Sequence, residues 1–421
     1  KVKRTKQEKK YKYELNINKC FISVYFFINN LITMIMKKSL LSVFTMVAMA
    51  AAFTACSNDD IEVPDVKNGE ARSVFMKLEL PTLTRSTEPP VASGTVATVS
   101  NLHVYFHDGT SILKYVNATT TTPITIANLT TGTQITDVPA AATTVTVCGN
   151  IPAGTSLPTG GTVAALKAVQ LEITSQSAVA DVVLSGDDKP LQTWTTGSPA
   201  LPYAPGITDG DKYAEVEIGP AVARVEIEGL ATTASSAVDG FTLEGIYVNN
   251  FFEKFNLAGT VVGTKVQYGA TPAAYAQGQG LYTPANAGKL FDQSAVAATG
   301  IPKEVIPPTA GQRWAYQVVP NGNSTDANEQ LQLVFKLSNL AAKAGSSVNF
   351  GTGDQFITVR GFKDGSGNIV ELEKGKIYTI SKADFTFDES NLSTIPNTSA
   401  VSVWLKVTVK AWTVVPVKPN L

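Results

Sequence analysis

The two histidines of the chain, His103 and His107, are the first side chains to consider for metal or acid–base chemistry. They stand four residues apart in a run that alternates like a β-strand, so both lie on one face about 13 Å apart, too far to share a metal ion. The carboxylates of Asp187, Asp188 and Asp209–Asp211 belong to turn-like segments, and the last of these lacks the later Glu of a calcium loop. No zinc-protease or serine-hydrolase motif occurs. These patterns predict no metal site, no cofactor and no enzymatic activity.

Cys56 is a side chain whose position does predict a chemical modification. A positive pair, Lys37–Lys38, precedes the apolar segment Leu40–Ala52, which is the pattern of a secretory signal. Phe53–Cys56 closes this segment with a small residue before the cysteine and resembles a bacterial lipoprotein lipobox, in which the thiol receives a lipid. We therefore expect a lipoprotein signal peptide at residues 36–55 and lipidation of Cys56.

Residues 1–35 precede that signal and are interpreted as upstream or leader sequence, with translation starting at Met34 or Met36. Their apolar run is interrupted at Asn29–Asn30 and is shorter than the roughly 20 residues that a membrane span needs. After the signal, the acidic segment Ser57–Asp60 resembles the surface-export signal of bacterial lipoproteins.

Arg85 has a second predicted chemical role, as a site of proteolysis. It follows a strand-like run, Ser73–Leu83, and precedes two prolines that force an extended, exposed segment. A trypsin-like protease would cut between Arg85 and Ser86, so that residues 56–85 form a lipidated propeptide with a removable strand. Arg72 is the alternative site, and cleavage there would leave the strand attached.

Period-2 alternation rich in Thr, Val and Ile predicts β-structure throughout the body of the chain. The predicted strands are Ser73–Leu80, Asn101–His107, Thr143–Cys148, Tyr213–Ile218, Ala223–Glu228, Phe241–Val248, Leu331–Leu337, Gln355–Arg360, Lys376–Ile380 and Val401–Lys410. Many short strands joined by turns are typical of Greek-key β-sandwiches.

Three local expectations accompany this fold. Tyr213–Ile218 and Ala223–Glu228 are predicted to pair with each other around Gly219–Pro220. Helical periodicity is scarce, and Val163–Val169 is predicted to form a short helix. Residues 258–309, rich in Gly, Ala and Pro, are predicted to form long loops.

The C-terminal stretch has two parts with different patterns. Val401–Ala411 alternates cleanly and is expected to complete its own sheet. The tail beyond it carries Val415, Val417 and Leu421 on one face, which is too apolar for a solvated end. These three residues are the predicted donor strand, which would add to an open sheet edge of another molecule.

Composition excludes two further classes of protein. Charged residues make up only 16% and hydrophobic residues 44% of the 421-residue chain, which argues against disorder. The formal net charge is −1, so nucleic-acid binding has no electrostatic support. Of the three cysteines only Cys148 lies in the body, so an intrachain disulfide framework is not expected there.

Taken in order along the chain, these features resemble a fimbrillin, a subunit of the type V pilus of Bacteroidales (the major and minor fimbrial subunits, or Mfa-like group). The resemblance covers the chain from Met36 onward and is carried by Phe53–Cys56, the strand ending at Arg85, Val222–Ile227, Gly375–Tyr378 and the Val-rich C-terminus. It implies an all-β fold of two Greek-key, transthyretin-like β-sandwich domains with long loops and few short helices. We expect the N-terminal sandwich at residues 86–215 and the C-terminal sandwich with the donor strand at residues 216–421.

The resemblance also implies a function. The chain would reach the outer membrane as a lipoprotein, an Arg-specific protease would remove its N-terminal strand, and a strand of another subunit would fill the groove. Its partners would be other pilus subunits in a homopolymer, the outer membrane through the lipid of the precursor, the protease, and host or bacterial surface ligands of an adhesive fimbria.

Two alternatives remain open at this level. A surface glycan-binding lipoprotein would also be β-rich and lipid-anchored, and Trp194 and Trp314 could supply its sugar platform. A tip or anchor component of the fimbria is the other alternative. The Arg85 segment and the apolar tail favour a polymerising shaft subunit, because neither alternative needs both features.

Overall fold

The computed structural model of the chain describes residues 71–79, 99–118, 124–176, 182–196, 200–201, 206–320, 330–396, 398, 403–406 and 408–411. All of these residues belong to one compact unit, Val66–Leu421. Cys56, Arg85, Ser86, Val415, Val417 and Leu421 lie outside the described residues, so their roles stay predictions.

The described part of the chain is built mainly of β-strands. In the first half they are β1 Ala71–Glu79, β2 Leu102–His107, β3 Ser111–Asn117, β4 Thr133–Pro139, β5 Thr144–Gly149, β6 Gly161–Thr162, β7 Gln170–Glu172, β8 Leu184–Ser185, β9 Lys189–Pro190, β10 Gln192–Thr193, β11 Lys212–Glu217 and β12 Gly219–Pro220. In the second half they are β13 Ala223–Ile227, β14 Leu230–Thr232, β15 Val238–Asn249, β16 Phe251–Asn256, β17 Val261–Val266, β18 Phe291–Ala297, β19 Glu304–Val305, β20 Trp314–Val318, β21 Gln332–Ala342, β22 Gln355–Lys363, β23 Ile369–Val370, β24 Lys376–Ile380, β25 Thr386–Phe387, β26 Val403–Lys406 and β27 Thr408–Ala411.

Helices are few and short in the described residues. They are α1 Ile126–Thr131 and α2 Val163–Lys167, with 3-10 turns at Ile173–Ser175, Pro272–Ala274, Pro284–Asn286 and Glu389–Asn391. The Thr162 hydroxyl accepts a hydrogen bond from the Ala165 amide at 3.1 Å and so caps α2. The short helix predicted from Val163 is therefore confirmed. No helix in the described part is both long and apolar enough to cross a bilayer.

The strands form several sheets around a continuous apolar core. Their orders are β10-β11-β1-β4, β12-β8-β5-β2-β3-β6 with β9 on β5, β20-β13-β24-β27, β19-β14-β25, β18-β15-β21-β22-β23 with β26 on β22, and β17-β16-β7. Some strands alternate between a buried and a less buried face, as in β5, where Val145 and Val147 are buried and Thr144 and Thr146 are half-buried. The predicted all-β sandwich class is confirmed.

The turn between β2 and β3 shows how the local sequence ends a strand. The Asp108 carboxylate accepts hydrogen bonds from the Thr110 and Ser111 amides at 2.8 and 2.7 Å. Gly109 follows with φ +95°, a conformation that costs little only for glycine. These two residues produce the antiparallel hairpin that joins His103 to Asn117.

The predicted pairing of Tyr213–Ile218 with Ala223–Glu228 is wrong. β11 pairs with β1 and β10, whereas β13 pairs with β20 and β24. All five residues of β13 are buried, so this strand needs a neighbour on each side and cover on both faces. Between them Gly219–Pro220 pairs with β8, and Pro220 has no N–H to continue a hairpin ladder.

The prediction of long loops over residues 258–309 is only partly right. β17, β18 and β19 lie in this range, and β18 pairs with the long strand β15. β18 is an edge strand with mostly exposed or half-exposed residues, so its sequence lacks the alternation of a strand with a buried face. Tyr275 and Tyr282 from the intervening segment are fully buried.

The division into two sandwich domains near residue 215 stays a prediction. Strands from the two sides of that position do meet, because β7 pairs with β16 from Glu172↔Lys254 to Gln170↔Asn256.

Candidate functional site

The N-terminal strand β1 is the centre of the candidate site. It pairs in parallel with β11, from Val74↔Lys212 to Glu79↔Glu217. On its other side it pairs antiparallel with β4, with a register shift between Arg72 and Val74. Within the described residues, β4 has no other strand partner. Removal of β1 would therefore open a groove between β4 and β11, which we call the β1 groove.

One face of β1 is part of the main hydrophobic core. Val74, Met76 and Leu78 are 0%, 0% and 1% exposed and belong to the same cluster as Ile135 of β4 and Val216 of β11. Complete burial of three such side chains stabilises a fold by about 5–9 kcal/mol relative to their exposure. An empty β1 groove would expose the apolar walls that these side chains cover, so the groove needs an occupant.

The opposite face of β1 packs against a smaller cluster. Phe75 and Tyr213 are buried together, and Trp194, Leu201 and Ile207 pack against them. Trp194 therefore lies against an apolar cluster, and Trp314, the other candidate for a sugar platform, is only 2% exposed in β20. Trp314 is therefore not available as an open stacking surface, whereas Trp194 is half-buried.

The start of β1 carries a basic side chain in an unfavourable environment. The Arg72 guanidinium donates a hydrogen bond to the Ala142 carbonyl, but its Nε is buried without a hydrogen-bond partner. Burial lowers the pKa of Arg72. Burial and then the charge of Arg72 lower the pKa of Lys212, whose ammonium donates to the Thr193 hydroxyl. The first residues of β1 thus add little electrostatic stabilisation to its packing.

Helix α1 contributes a further contact with β1. The helix lies against the strand and buries Leu129. The Thr125 hydroxyl caps its first turn by accepting a hydrogen bond from the Asn128 amide. β1 is therefore packed between its two neighbouring strands, β4 and β11, and against helix α1.

The C-terminal strands are at the edges of two other sheets. β26 pairs in parallel with β22, from Val359↔Val403 to Lys363↔Lys406, with a shifted register. β27 pairs antiparallel with β24, from Lys376↔Ala411 to Thr379↔Thr408. Val401–Ala411 was expected to complete one sheet. The structure keeps this segment on the chain's own sheets but divides it into two strands, at 403–406 and 408–411, that belong to different sheets.

The histidines have structural partners. The Nδ1 of His103 lies 2.8 Å from the Tyr115 hydroxyl, and burial lowers the pKa of His103. The Nε2 of His107 lies 2.8 Å from the Thr146 hydroxyl, and its Nδ1 accepts from the Gly109 amide at 3.1 Å. Burial lowers the pKa of His107 as well.

The candidate carboxylates also hold local structure. Asp188 accepts from Thr146 at 2.5 Å and from the Lys167 ammonium at 2.6 Å. Asp209 accepts from the Thr196 hydroxyl at 2.9 Å, and Asp211 accepts from the Thr208 hydroxyl at the same distance. Across the described ranges, no group of three or more His, Cys, Asp or Glu side chains is placed to hold a metal ion.

Sequence reasoning identified β1 but missed the walls of its groove. β4 is half-exposed with an irregular pattern, and β11 was expected to pair with β13. The cover formed by Trp194 was also missed. Short alternating strands do not indicate which strand they will pair with, so the sequence held no signal for these neighbours.

Comparisons with known proteins find similar solved structures but no matching family. No family model and no curated protein sequence matches the chain. Solved structures do. One is assigned to cell adhesion, from Bacteroides eggerthii DSM 20697, with 14% identity, TM-score 0.47, and coverage of 83% of this chain and 98% of that one.

Two further structures are similar to a comparable extent. One, also assigned to cell adhesion, is from Parabacteroides distasonis ATCC 8503, with 15% identity, TM-score 0.46, and coverage of 84% and 99%. The other is a fimbrilin from Porphyromonas gingivalis W83, with 12% identity, TM-score 0.43, and coverage of 83% and 99%. At these identities the similarity concerns the fold alone.

Proposed function

We propose that this chain is a structural, non-enzymatic subunit of a surface fimbria that polymerises by replacement of β1. The observation that carries the proposal is the position of β1, the N-terminal strand of the described fold and a central strand of its sheet. An N-terminal central strand can be removed by a single cut on its C-terminal side. The vacated groove can then accept a strand of another subunit, as in donor-strand complementation.

The precursor is held in its monomeric form by its own strand. We propose that Cys56 carries a lipid and anchors the precursor to the outer membrane. While β1 fills the groove, neither the backbone groups of β4 and β11 that face β1 nor the apolar walls are accessible. The sheet therefore has no open central position before proteolysis.

An Arg-specific protease is the proposed trigger, acting at Arg85–Ser86. Arg85 lies six residues beyond Glu79, the end of β1. Arg72, the alternative, lies inside the ladder, where it is paired with Val138. Proteases bind extended substrate segments, so a bond within a paired strand resists cleavage. Loss of residues 56–85 would remove β1 and the lipid anchor together.

The replacement strand is proposed to come from the C-terminal part of another copy, which makes the fimbria a homopolymer. Val415, Val417 and Leu421 are the donor residues expected from the apolar pattern of the tail. The incoming strand would restore the lost backbone hydrogen bonds and bury the groove again. The assembled fibre would support adhesion to host or bacterial surfaces.

Protease treatment of the purified precursor tests this function. We expect an Arg-specific protease to produce a chain that begins at Ser86 and forms fibres visible by electron microscopy. The matched control, Arg85→Lys, keeps the charge but removes the cleavage site, and it should remain monomeric. Fibres from Arg85→Lys, or a processed wild-type chain that stays monomeric, would refute the proposal.

A further inference from the structure

Two segments far apart in the chain have nearly the same pattern of side chains. Ser73–Leu80 reads Ser-Val-Phe-Met-Lys-Leu-Glu-Leu, and Ser402–Val409 reads Ser-Val-Trp-Leu-Lys-Val-Thr-Val. Ser, Val and Lys are identical at the first, second and fifth positions. The aromatic residue is at the third position in both, and the remaining apolar residues are replaced by apolar residues. The first segment contains most of β1, and the second contains β26 and the start of β27.

The structure shows which side chains of the first segment face the main core and which face the smaller cluster. Val74 and Met76 enter the main core, and Phe75 between them faces the cluster that contains Tyr213. In the second segment Val403 and Leu405 correspond to the two core residues. Leu and Met differ little in volume, so their exchange is among the best tolerated in a core.

The aromatic and basic positions agree as well. Trp404 corresponds to Phe75, the residue that packs with Tyr213 and is covered by Trp194. Lys406 corresponds to Lys77, which is 8% exposed. An apolar stretch with a different phase would place these two residues on the wrong faces, because a shift of one residue reverses both faces of a strand.

The central position of β1 restricts which segment can replace it. β1 is paired on both sides, with β11 and with β4, so its N–H groups are needed on both edges. The last residues of the chain, Thr413–Leu421, contain Pro416 and Pro419, which have no N–H. Proline is confined to edge strands, strand ends and bulges. Ser402–Val409 contains no proline.

The second segment can also leave its own sheets without separating other strands. Within the described part, β26 pairs only with β22, and β27 pairs only with β24. Transfer to a β1 groove would place β26 between two strands. The segment cannot be in its own sheets and in a β1 groove at the same time. A groove that is filled by the segment of a second copy therefore links the two copies.

We propose that Ser402–Val409 of a second copy occupies the β1 groove in the register of Ser73–Leu80, with Leu405 in the place of Met76. The proposal rests on the proposed strand exchange and keeps the C-terminal part of another copy as the source of the strand. It replaces Val415, Val417 and Leu421 by Ser402–Val409 as the residues that enter the groove, and it fixes their register. It predicts that Leu405 of one copy lies opposite Thr133 of the next, since Met76 is paired with Thr133.

Disulfide crosslinking between two variant chains tests the register. One full-length precursor carries Leu405→Cys and the other carries Thr133→Cys, and the two are mixed, treated with the Arg-specific protease and oxidised. We expect a crosslinked dimer, with the bond between positions 405 and 133 located by mass spectrometry. The matched control replaces Leu405→Cys by Val417→Cys and should give no crosslink. A crosslink from Val417→Cys and none from Leu405→Cys would overturn the register while supporting strand exchange.

Peptide competition on the unmodified chain makes the test independent of the cysteine variants. A peptide of residues 402–409 should block fibre formation when it is present during protease treatment. The same peptide with Leu405→Glu, and a peptide of residues 413–421, should not block it. Inhibition by the 413–421 peptide alone, or fibre formation unaffected by either peptide, would overturn the register. A treated chain without peptide that remains monomeric would instead refute the proposed function.

Discussion

Replacement of Met76 by alanine should destabilise the precursor and leave the assembled form unchanged. Met76 is 0% exposed and lies in the middle of a central strand. Truncation of a buried Met to Ala costs about 2–5 kcal/mol, depending on how far the site can collapse. Both neighbouring strands are held by ladder hydrogen bonds, so the cavity would persist, and we expect a loss in the upper part of that range, about 3–5 kcal/mol.

Denaturant unfolding of the purified precursor measures this loss as a lower midpoint at unchanged slope. Cleaved Met76→Ala should lose β1 faster and form fibres sooner than wild type, and those fibres should unfold at the same denaturant concentration as wild-type fibres. The matched control is Val104→Ala in β2, a position that is also 0% exposed but is retained after cleavage, and it should weaken both forms. An unchanged midpoint for the Met76→Ala precursor, or fibres that still contain residue 76 by mass spectrometry, would refute the reasoning.

Three further predictions concern the rest of the fold. Glu226→Gln should lower the unfolding free energy of the precursor by about 3–5 kcal/mol, measured by denaturant titration. The reason is that the buried guanidinium of Arg224 loses the carboxylate that lies 2.8 Å from it. A loss below about 1 kcal/mol would contradict this. Burial raises the pKa of Asp292, so the folded state binds this proton more tightly than the unfolded state, and the stability of the protein falls as pH rises above about 4. Asp292→Asn, whose side chain still accepts a hydrogen bond from Tyr316, should gain stability relative to wild type between about pH 4 and pH 7. A difference in unfolding free energy that stays constant over this range would show that the carboxyl group is not the cause. Trp194→Ala should uncover the outer face of β1, lower precursor stability by about 0.5–3 kcal/mol and speed loss of β1 after cleavage; an unchanged rate would mean that the indole does not retain the strand.

The ten segments predicted as strands overlap 11 of the 27 described strands. They could be located because a strand with one buried face repeats its apolar residues every second position. Lys376–Ile380 was predicted with its observed bounds. The prediction failed at the exposed edge strand β18, because its residues do not alternate between a buried and an exposed face.

The candidate site was predictable only in part. Ser73–Leu80 was predicted as a strand from its alternating pattern, and the structure buries Val74, Met76 and Leu78 on one face of it. Their position between β4 and β11 was not predictable, since the sequence suggested that β11 would pair with the strand after it. The correspondence between β1 and Ser402–Val409 was in the sequence from the start, but it had no meaning until β1 was known to be central.

The sequence by itself determined the class of the fold, the phase of its strands and the presence of two matching segments, because these depend on side chains close together in the chain. Only the tertiary structure decided that β1 runs parallel to a strand more than a hundred residues later, Lys212–Glu217. Ladder hydrogen bonds join backbone groups that are the same in every residue, so strand partners are selected by the burial of the whole sheet and not by the letters of either strand. The proposed replacement of β1 relies on these same backbone hydrogen bonds, together with a segment whose apolar residues have the phase of β1.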